Sequence, residues 1–188
     1  VPFNFLPARE FEYSVAGGVV EDDSTSRFGR AATGYGLTNN FTVGAGVEYL
    51  TSVTSGPVMP YVNGSYRLGK GLMLSGEHIY SVRSRGNLSY RLPSNLQIDL
   101  RYTKYTPGQL SVNTLSLEER RVSLALPFKA KRFTMFSLIN FTDNILATTR
   151  FDNLEWLLSG MYNHVGIRLN SYGIFIKDVA QYFYSDLS

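Results

Sequence analysis

The stretch Phe41–Tyr49, FTVGAGVEY, alternates at every step between an apolar side chain and a polar or small one. Successive side chains of a β-strand point to opposite faces of a sheet, whereas helical spacing would scatter the same residues around a cylinder. The stretch therefore predicts a strand with one apolar face. That face consists of Phe41, Val43, Ala45, Val47 and Tyr49.

The same two-residue period recurs along the chain, most clearly at Leu96–Thr103 and Arg121–Phe128. Tight-turn signals rich in Gly and Asn, such as Thr38–Asn40 and Gly69–Gly71, separate the runs. Runs and turns together predict about twelve strands. The predicted spans are Phe11–Val20, Phe28–Thr38, Phe41–Thr51, Met59–Leu68, Leu72–Val82, Asn87–Leu92, Leu96–Tyr105, Arg120–Phe128, Phe133–Thr142, Thr148–Leu158, His164–Asn170 and Ile174–Tyr184. Thr148–Leu158 also fits one face of a short helix.

Composition narrows the class of protein. Charged residues make up 18% of the 188 residues, against roughly 25% in a typical soluble domain, and there is no cysteine. These figures exclude a disulfide scaffold, a thiolate metal site and a highly charged disordered chain. No apolar stretch reaches the roughly 18 residues of a transmembrane helix. The mean hydropathy of −0.10 is also what a transmembrane β-barrel gives, because its strands alternate.

The charge distribution and the first residues bear on partners and processing. The formal net charge is +3, and the only basic cluster, Lys129–Arg132, is typical of a solvated turn between two strands. A duplex-binding protein would carry a basic stripe, so we predict no nucleic-acid partner. Val1–Pro7 lacks the charged and apolar regions of a secretory signal. Because the sequence also does not begin with Met, we expect Val1 to lie inside a longer precursor.

The lengths of the predicted connections roughly alternate. Short turns at Thr38–Asn40 and Gly69–Gly71 contrast with long connections at Ser52–Val58 and Thr106–Glu119. Every second connection of an up-and-down meander lies on the same rim, and outer-membrane barrels have short periplasmic turns and long outer loops. A soluble sandwich has Greek-key crossings instead. We also predict long connections at Glu21–Arg27 and Asp143–Ala147, and a short one at Ser84–Gly86 that fits the alternation poorly.

The face opposite the apolar one carries many charges. They suit a solvated outer face or a wet lumen better than the core of a soluble sandwich, where unpaired charges are costly. We predict six lumen-lining residues: Glu48, Arg67, Glu77, Asp99, Arg101 and Arg121. Tyrosines near strand ends, as in aromatic girdles, favour the lumen alternative. These are Tyr35, Tyr49, Tyr61, Tyr80, Tyr90, Tyr105, Tyr172 and Tyr184.

The predicted fold is therefore all-β: one antiparallel up-and-down transmembrane β-barrel domain of about twelve strands over residues 1–188, or the wall segment of a larger barrel. The numerous strands without covering helices, and the glycines on their faces, favour this fold. A soluble antiparallel sheet or barrel is the alternative. A lipid-exposed sheet edge is not tolerated, so another chain or further sequence must complete the wall if these strands do not close.

Three segments at residues 10–46 resemble the opening barrel strands of outer-membrane ushers. They are EFEYSVAGG at Glu10–Gly18, RFGRA at Arg27–Ala31 and GYGLTNNFTVGAG at Gly34–Gly46. The resemblance implies a pore that secretes and assembles chaperone-delivered pilus subunits. Ushers have about twice as many strands, an immunoglobulin-like plug and periplasmic domains, none of which this sequence has room for. The end at Tyr182–Ser188 also lacks the terminal aromatic residue that resembles a barrel assembly signal, which favours a fragment or a wall completed by a partner.

Catalytic and metal-binding patterns are scarce. The two histidines, His78 and His164, have no serine on the same face of their own strand, although pairing across strands stays open. There is no HExxH, EF-hand or phosphate-loop motif, and the acidic stretch Glu21–Ser24 is typical of an outer loop. Glu118–Arg121 is typical of a charge cluster at a rim. We predict no catalytic residue, cofactor or metal.

The function predicted from the sequence is a non-enzymatic pore or translocation protein in the outer membrane of a Gram-negative bacterium. Its expected partners are outer-membrane lipid and either other subunits of an outer-membrane complex or secreted protein subunits. One alternative is a non-conducting structural barrel, in which Arg67, Asp99 and Arg101 pair across strands and fill the interior. A second is a membrane-embedded hydrolase that uses His78 or His164.

Overall fold

A computed structural model of the chain describes residues 5–19, 26–53, 56–109, 111–112, 115–131, 133–163, 165–176 and 180–187. Within these ranges the regular elements are twelve β-strands. No helix in the described part of the chain is long and apolar enough to cross a membrane. The all-β prediction and the predicted number of strands are therefore confirmed.

The strands follow one another along the chain. The first six are β1 Phe11–Val19, β2 Arg27–Thr38, β3 Phe41–Leu50, β4 Val58–Leu68, β5 Leu72–Ile79 and β6 Arg83–Arg91. The second six are β7 Gln97–Tyr105, β8 Ser116–Ala130, β9 Phe133–Leu146, β10 Arg150–Tyr162, β11 Val165–Ile176 and β12 Ala180–Leu187. They form one antiparallel sheet in chain order, β1 to β12. The up-and-down meander is confirmed, but β1 and β12 are edges and the sheet is not closed.

Several predicted boundaries were wrong; β8, for example, begins at Ser116 rather than at Arg120. The β5–β6 connection is Tyr80–Val82 rather than Ser84–Gly86, because Ser81 takes a positive φ of 58° and turns the chain there. The β9–β10 connection is residues 147–149, since β9 continues through Leu146. The predicted last strand from Ile174 to Tyr184 is split between β11 and β12.

The last error has a specific cause in Gly173. The predicted spans place a turn at residues 171–173. In the structure Gly173 lies inside β11, opposite Leu154 of β10 and Phe183 of β12. A glycine inside a strand also marks close packing, and a Cβ here would lie 3.2 Å from the Phe175 ring. The helical alternative for Thr148–Leu158 was wrong as well, because β10 pairs along its length with β9 and β11.

The chain divides into two compact units, Val1–Gly86 with Thr103–Thr114 and Asn87–Tyr102 with Leu115–Ser188. We call them unit 1 and unit 2. In unit 1 the register assigns one sheet face to polar, small and charged residues together with several apolar ones. This polar face of unit 1 contains Glu12, Ser14, Ala16, Gly18, Phe28, Arg30, Ala32, Gly34, Gly36, Thr42, Gly44, Gly46, Glu48, Leu50, Met59, Tyr61, Asn63, Ser65, Arg67, Met73, Ser75, Glu77 and Ile79.

The opposite face of unit 1 is mainly apolar, and its residues are exposed or half-buried. This apolar face contains Phe11, Tyr13, Val15, Tyr35, Val43, Val47, Tyr49, Val58, Val62, Tyr66, Leu68, Leu72, Leu74 and His78. In β4, Val62 is 56% exposed, whereas its polar-face neighbours Tyr61 and Ser65 are 5% and 9% exposed. In this strand the buried side chains thus lie on the polar face and an exposed valine lies on the apolar face.

Unit 2 also separates its faces. A polar row crosses β8, β9 and β10: the Ser123 hydroxyl is 2.7 Å from Asn140 Oδ1, and Asn140 Nδ2 donates to Glu155 Oε2 at 3.1 Å. On the other face Leu124, Ile139 and Trp156 form the neighbouring row. Apolar residues of that face are exposed, including Trp156 and, in β11, Ile167.

Candidate functional site

The polar face of unit 1 carries two ion pairs between adjacent strands. Arg30 of β2 faces Glu48 of β3 in register, with Nε 3.6 Å from Oε1. Glu77 of β5 contacts Arg83 of β6 at 3.2 Å, and the side chains of this second pair are only 11% and 20% exposed. Two of the predicted lumen residues, Glu48 and Glu77, therefore lie on one face, each with an arginine partner that sequence reasoning did not select.

Tyr61 is the central side chain of this face. It is buried, accepts a hydrogen bond from Arg30 Nη2 at 3.4 Å, and has the Arg30 guanidinium 5.6 Å from its ring centroid. The ring lies over Gly46, its register partner on β3. The prediction of Tyr61 as a girdle residue was wrong; Tyr105 is likewise buried, at 9% exposure. A glycine at the facing position was the sequence signal for Tyr61, because it leaves room for a ring.

Apolar side chains fill the polar face at the end where β4 begins and β5 ends. Met59, Tyr61, Ile79 and Val82 form a buried cluster. A cavity of about 130 Å³ adjoins it, lined by Leu50, Met59, Ile79, Val82, Val112 and the charged Glu48 and Arg83, among others. This end of the face is packed with side chains rather than open to solvent.

One glutamine shapes the connection after β7 beside the cavity, through hydrogen bonds within the loop itself. Gln109 Nε2 donates to the Val112 carbonyl at 2.7 Å, and Gln109 Oε1 accepts from the Val112 amide at 2.8 Å. The Ser111 hydroxyl donates to the same Oε1 at 3.2 Å. Paired this way, Val112 packs on the Met59 cluster, so part of the loop covers the polar face.

Arg67, the third predicted lumen residue in unit 1, lies at the other end of this face. Its guanidinium is 4.3 Å from the centroid of the Phe5 ring, which belongs to the segment before β1. The geometry is that of a cation–π contact. Glu48, Arg67 and Glu77 thus share a face, as predicted, while their contacts are with other side chains.

In unit 2 the other predicted residues make polar contacts near their own strands. Asp99 accepts a hydrogen bond from Gln97 Nε2 at 2.7 Å, and Arg101 Nε donates to Asn87 Oδ1 at 3.0 Å. Arg121 Nη2 is 3.1 Å from Glu119 Oε1 on the same face of β8. Of the cross-strand pairing suggested for Arg67, Asp99 and Arg101, the described residues show the bond from Arg101 of β7 to Asn87 of β6.

A charge cluster occupies the apolar face of unit 2 where β8 begins and β9 ends. Asp143 is 2% exposed and is held by Arg150 through two bonds, Nε to Oδ1 at 2.8 Å and Nη2 to Oδ2 at 3.0 Å. Arg120 contacts Asp143 at 3.7 Å and Glu118 at 3.2 Å. The predicted cluster Glu118–Arg121 therefore divides between two faces, and its buried centre, Asp143, was missed.

His78 forms a contact that a search along single strands could not find. Its Nδ1 is 2.8 Å from the hydroxyl of Ser84 on β6, and both side chains are exposed. Nucleophilic catalysis needs a third group that orients the ring, and in the described ranges no carboxylate hydrogen-bonds to His78. His164 and Glu21–Ser24 lie outside the described residues. Among those described, no group of three or more His, Asp or Glu is placed to hold a metal ion.

Comparisons of the chain with protein-family models, with curated proteins and with solved structures found no match. The usher resemblance therefore stays a prediction that rests on residues 10–46.

Proposed function

We propose that the chain is an outer-membrane β-barrel, or a wall segment of a larger one, and that it works as a non-enzymatic pore or translocation protein. The usher-like role, secretion of protein subunits for a surface fibre, is the specific form suggested by the resemblance. The membrane would be the outer membrane of a Gram-negative bacterium.

The observation that carries this proposal is the inverted polarity of unit 1. Apolar burial stabilises a soluble protein by about 25 cal/mol per Å², yet Val58 and Val62 of β4 are more than half exposed. Between them on the other face, Tyr61 is buried beside charged groups. Outward apolar residues that alternate with inward polar ones are the pattern of a lipid-embedded barrel.

The open edges agree with a wall that needs completion. Every residue of β1 is exposed, and β12 exposes Tyr182, Phe183, Tyr184 and Leu187 at 64–72%. Unpaired backbone groups in hydrocarbon cost several kcal/mol each. In the proposed membrane form the two edges therefore pair, with each other or with strands of another chain.

A second function, the non-conducting structural barrel, is favoured by the packing inside unit 1. The Met59 cluster, the loop residue Val112 and the ion pairs at Glu48 and Glu77 all occupy the polar face. A lumen filled in this way would anchor or scaffold partners without passing solutes. Both functions share the same fold and differ only in whether water and solutes pass through the barrel.

Ion conductance in planar lipid bilayers separates the two. We expect discrete conductance steps from the purified chain, whose cation preference falls in Glu48→Gln and Glu77→Gln, because charges that line a pore set its selectivity. His78→Gln, on the apolar face, is the control and leaves selectivity unchanged. Well-inserted protein without conductance supports the structural barrel. Monodisperse protein in detergent-free buffer contradicts both.

A further inference from the structure

The segment Phe5–Glu10, before β1, is folded over the polar face of unit 1. The Leu6 amide donates to Thr42 Oγ1 at 2.9 Å, and Thr42 is buried. The Ala8 amide donates to Asn39 Oδ1 in the β2–β3 turn at 3.0 Å. The Arg9 amide donates to the Gly36 carbonyl at 2.7 Å, and the Gly36 amide donates to the Glu10 carbonyl at 2.9 Å. Backbone groups at four positions of the segment thus anchor it to β2, β3 and the turn between them.

Two glycines of β2 make room for it. A Cβ on Gly36 would overlap the Pro7 carbonyl oxygen, and a Cβ on Gly34 would lie 3.1 Å from Leu6 Cδ1. Both positions lie on the polar face, because Gly34 faces Gly44 and Gly36 faces Thr42 in register. A side chain at position 36 would push the segment off the sheet because it meets backbone atoms, whereas one at position 34 would displace only the end of the Leu6 side chain.

Side chains and a backbone turn complete the attachment. The Phe5 ring lies under the Arg67 guanidinium, so an exposed cation of β4 also holds the segment. Arg9 has a φ of 69°, in the left-handed region that non-glycine residues seldom adopt. This conformation turns the chain from the polar face into β1.

From these contacts we propose that Phe5–Arg9 is a strap that covers the polar face at the end of unit 1 formed by the connections 39–40 and 69–71. The inference rests on the proposed function in one respect: if the polar face is a lumen, the strap narrows the passage at that rim. By the loop-length argument, that rim is periplasmic. Displacing the strap would open the passage without altering a lumen charge.

The absence of cysteine from the chain allows a direct test by thiol labelling. Ser65→Cys introduces a thiol at a buried position, the register partner of Thr42, and Ser14→Cys introduces one at an exposed position of the polar face. The probe is a charged methanethiosulfonate reagent applied to the membrane-inserted protein. Gly36→Val displaces the strap, and Gly29→Val, where a Cβ makes only an ordinary 3.8 Å contact, is the matched control in the same strand.

We expect Gly36→Val to speed labelling of the Ser65→Cys thiol by about tenfold or more, the factor that loss of about 1.4 kcal/mol of protection gives. Labelling of the Ser14→Cys thiol stays unchanged, and so does labelling in Gly29→Val. Thr42→Val removes only the acceptor of the Leu6 amide, so we expect a smaller increase in the labelling rate. This variant replaces Gly36→Val in the test if Gly36→Val does not insert into the membrane. Equal rates of labelling of the Ser65→Cys thiol in all folded variants would contradict the proposal that Phe5–Arg9 covers the polar face.

Conductance then connects the strap to the pore. Single-channel conductance rises in Gly36→Val and in Thr42→Val but not in Gly29→Val. If every protein, including the unmodified chain, is silent, the proposed pore fails while the labelling result still decides the strap. If channels open with equal conductance in all variants, the result supports the proposed pore. It contradicts the proposal that the strap narrows the passage.

Discussion

Tyr61 and Gly46 face each other across β4 and β3, and the tyrosine ring occupies the space where a Cβ of Gly46 would be. Such a Cβ would lie 2.5 Å from the Tyr61 hydroxyl oxygen and 2.6 Å from Cζ. The glycine therefore allows the ring to lie across the sheet and reach Arg30. The lack of a side chain at Gly46 therefore determines where Tyr61, the central residue of the polar face, is placed.

Gly46→Ala should consequently destabilise the protein. Overpacking a filled site typically costs about 1–3 kcal/mol, and here the added carbon also approaches the Ala31 carbonyl oxygen. The measurement is the free energy of unfolding in urea from lipid vesicles. Gly64→Ala is the control, because its Cβ would make contacts no closer than 3.7 Å. Equal effects of the two substitutions would contradict the assigned role of Gly46.

Arg150→Gln should destabilise the chain more than Arg120→Gln. Arg150 holds the buried Asp143 carboxylate through two short bonds, whereas Arg120 is 3.7 Å away and more loosely paired. Removing the closer partner leaves a buried charge poorly compensated, which is the costly way to break an ion pair. Thermal unfolding followed by circular dichroism compares the two. The same midpoint for both variants would show that the bidentate contact is unimportant.

Periodicity predicted the fold well because strand faces are local properties of the sequence. FTVGAGVEY is β3 to within a residue, and Glu48 lies on the polar face as its alternation requires. The boundaries that failed depended on backbone conformations with no strong residue signal. Ser81 turns the chain at a positive φ without being Gly or Asn, and Gly173 is a strand residue although glycine often marks turns.

The site was predicted less completely because its contacts join distant parts of the chain. Glu77 was selected from its face, but its partner Arg83 depended on the correct β5–β6 turn. Tyr61 was assigned to a girdle from its place near a strand end, and the signal from Gly46 emerges only once β3 and β4 are put in register. The strap could not be foreseen, since Leu6–Arg9 binds mainly through backbone groups.

The His78–Ser84 pair should have no hydrolytic role. Without an orienting carboxylate the ring is not fixed as a general base, and both residues are exposed on the surface. We expect the purified protein to hydrolyse phospholipid and p-nitrophenyl esters no faster than His78→Ala or Ser84→Ala. A fluorogenic phospholipid assay in mixed micelles and the absorbance of released p-nitrophenolate provide the two measurements. Activity lost in both variants while folding is retained would revive the hydrolase hypothesis.

Val62→Arg distinguishes a lipid-facing sheet from a water-facing one. Val62 lies in the middle of β4 on the exposed apolar face. An arginine on the lipid face of a barrel costs about 2–4 kcal/mol near the bilayer midplane and about 0–1 kcal/mol near the interface. We therefore expect Val62→Arg to lower the free energy of unfolding from vesicles by about 2–4 kcal/mol. Val58→Arg, at the first residue of the same strand, should cost much less. In a soluble sheet the exposed valine would accept arginine at almost no cost, and Val62→Arg would unfold at the same urea concentration as Val58→Arg.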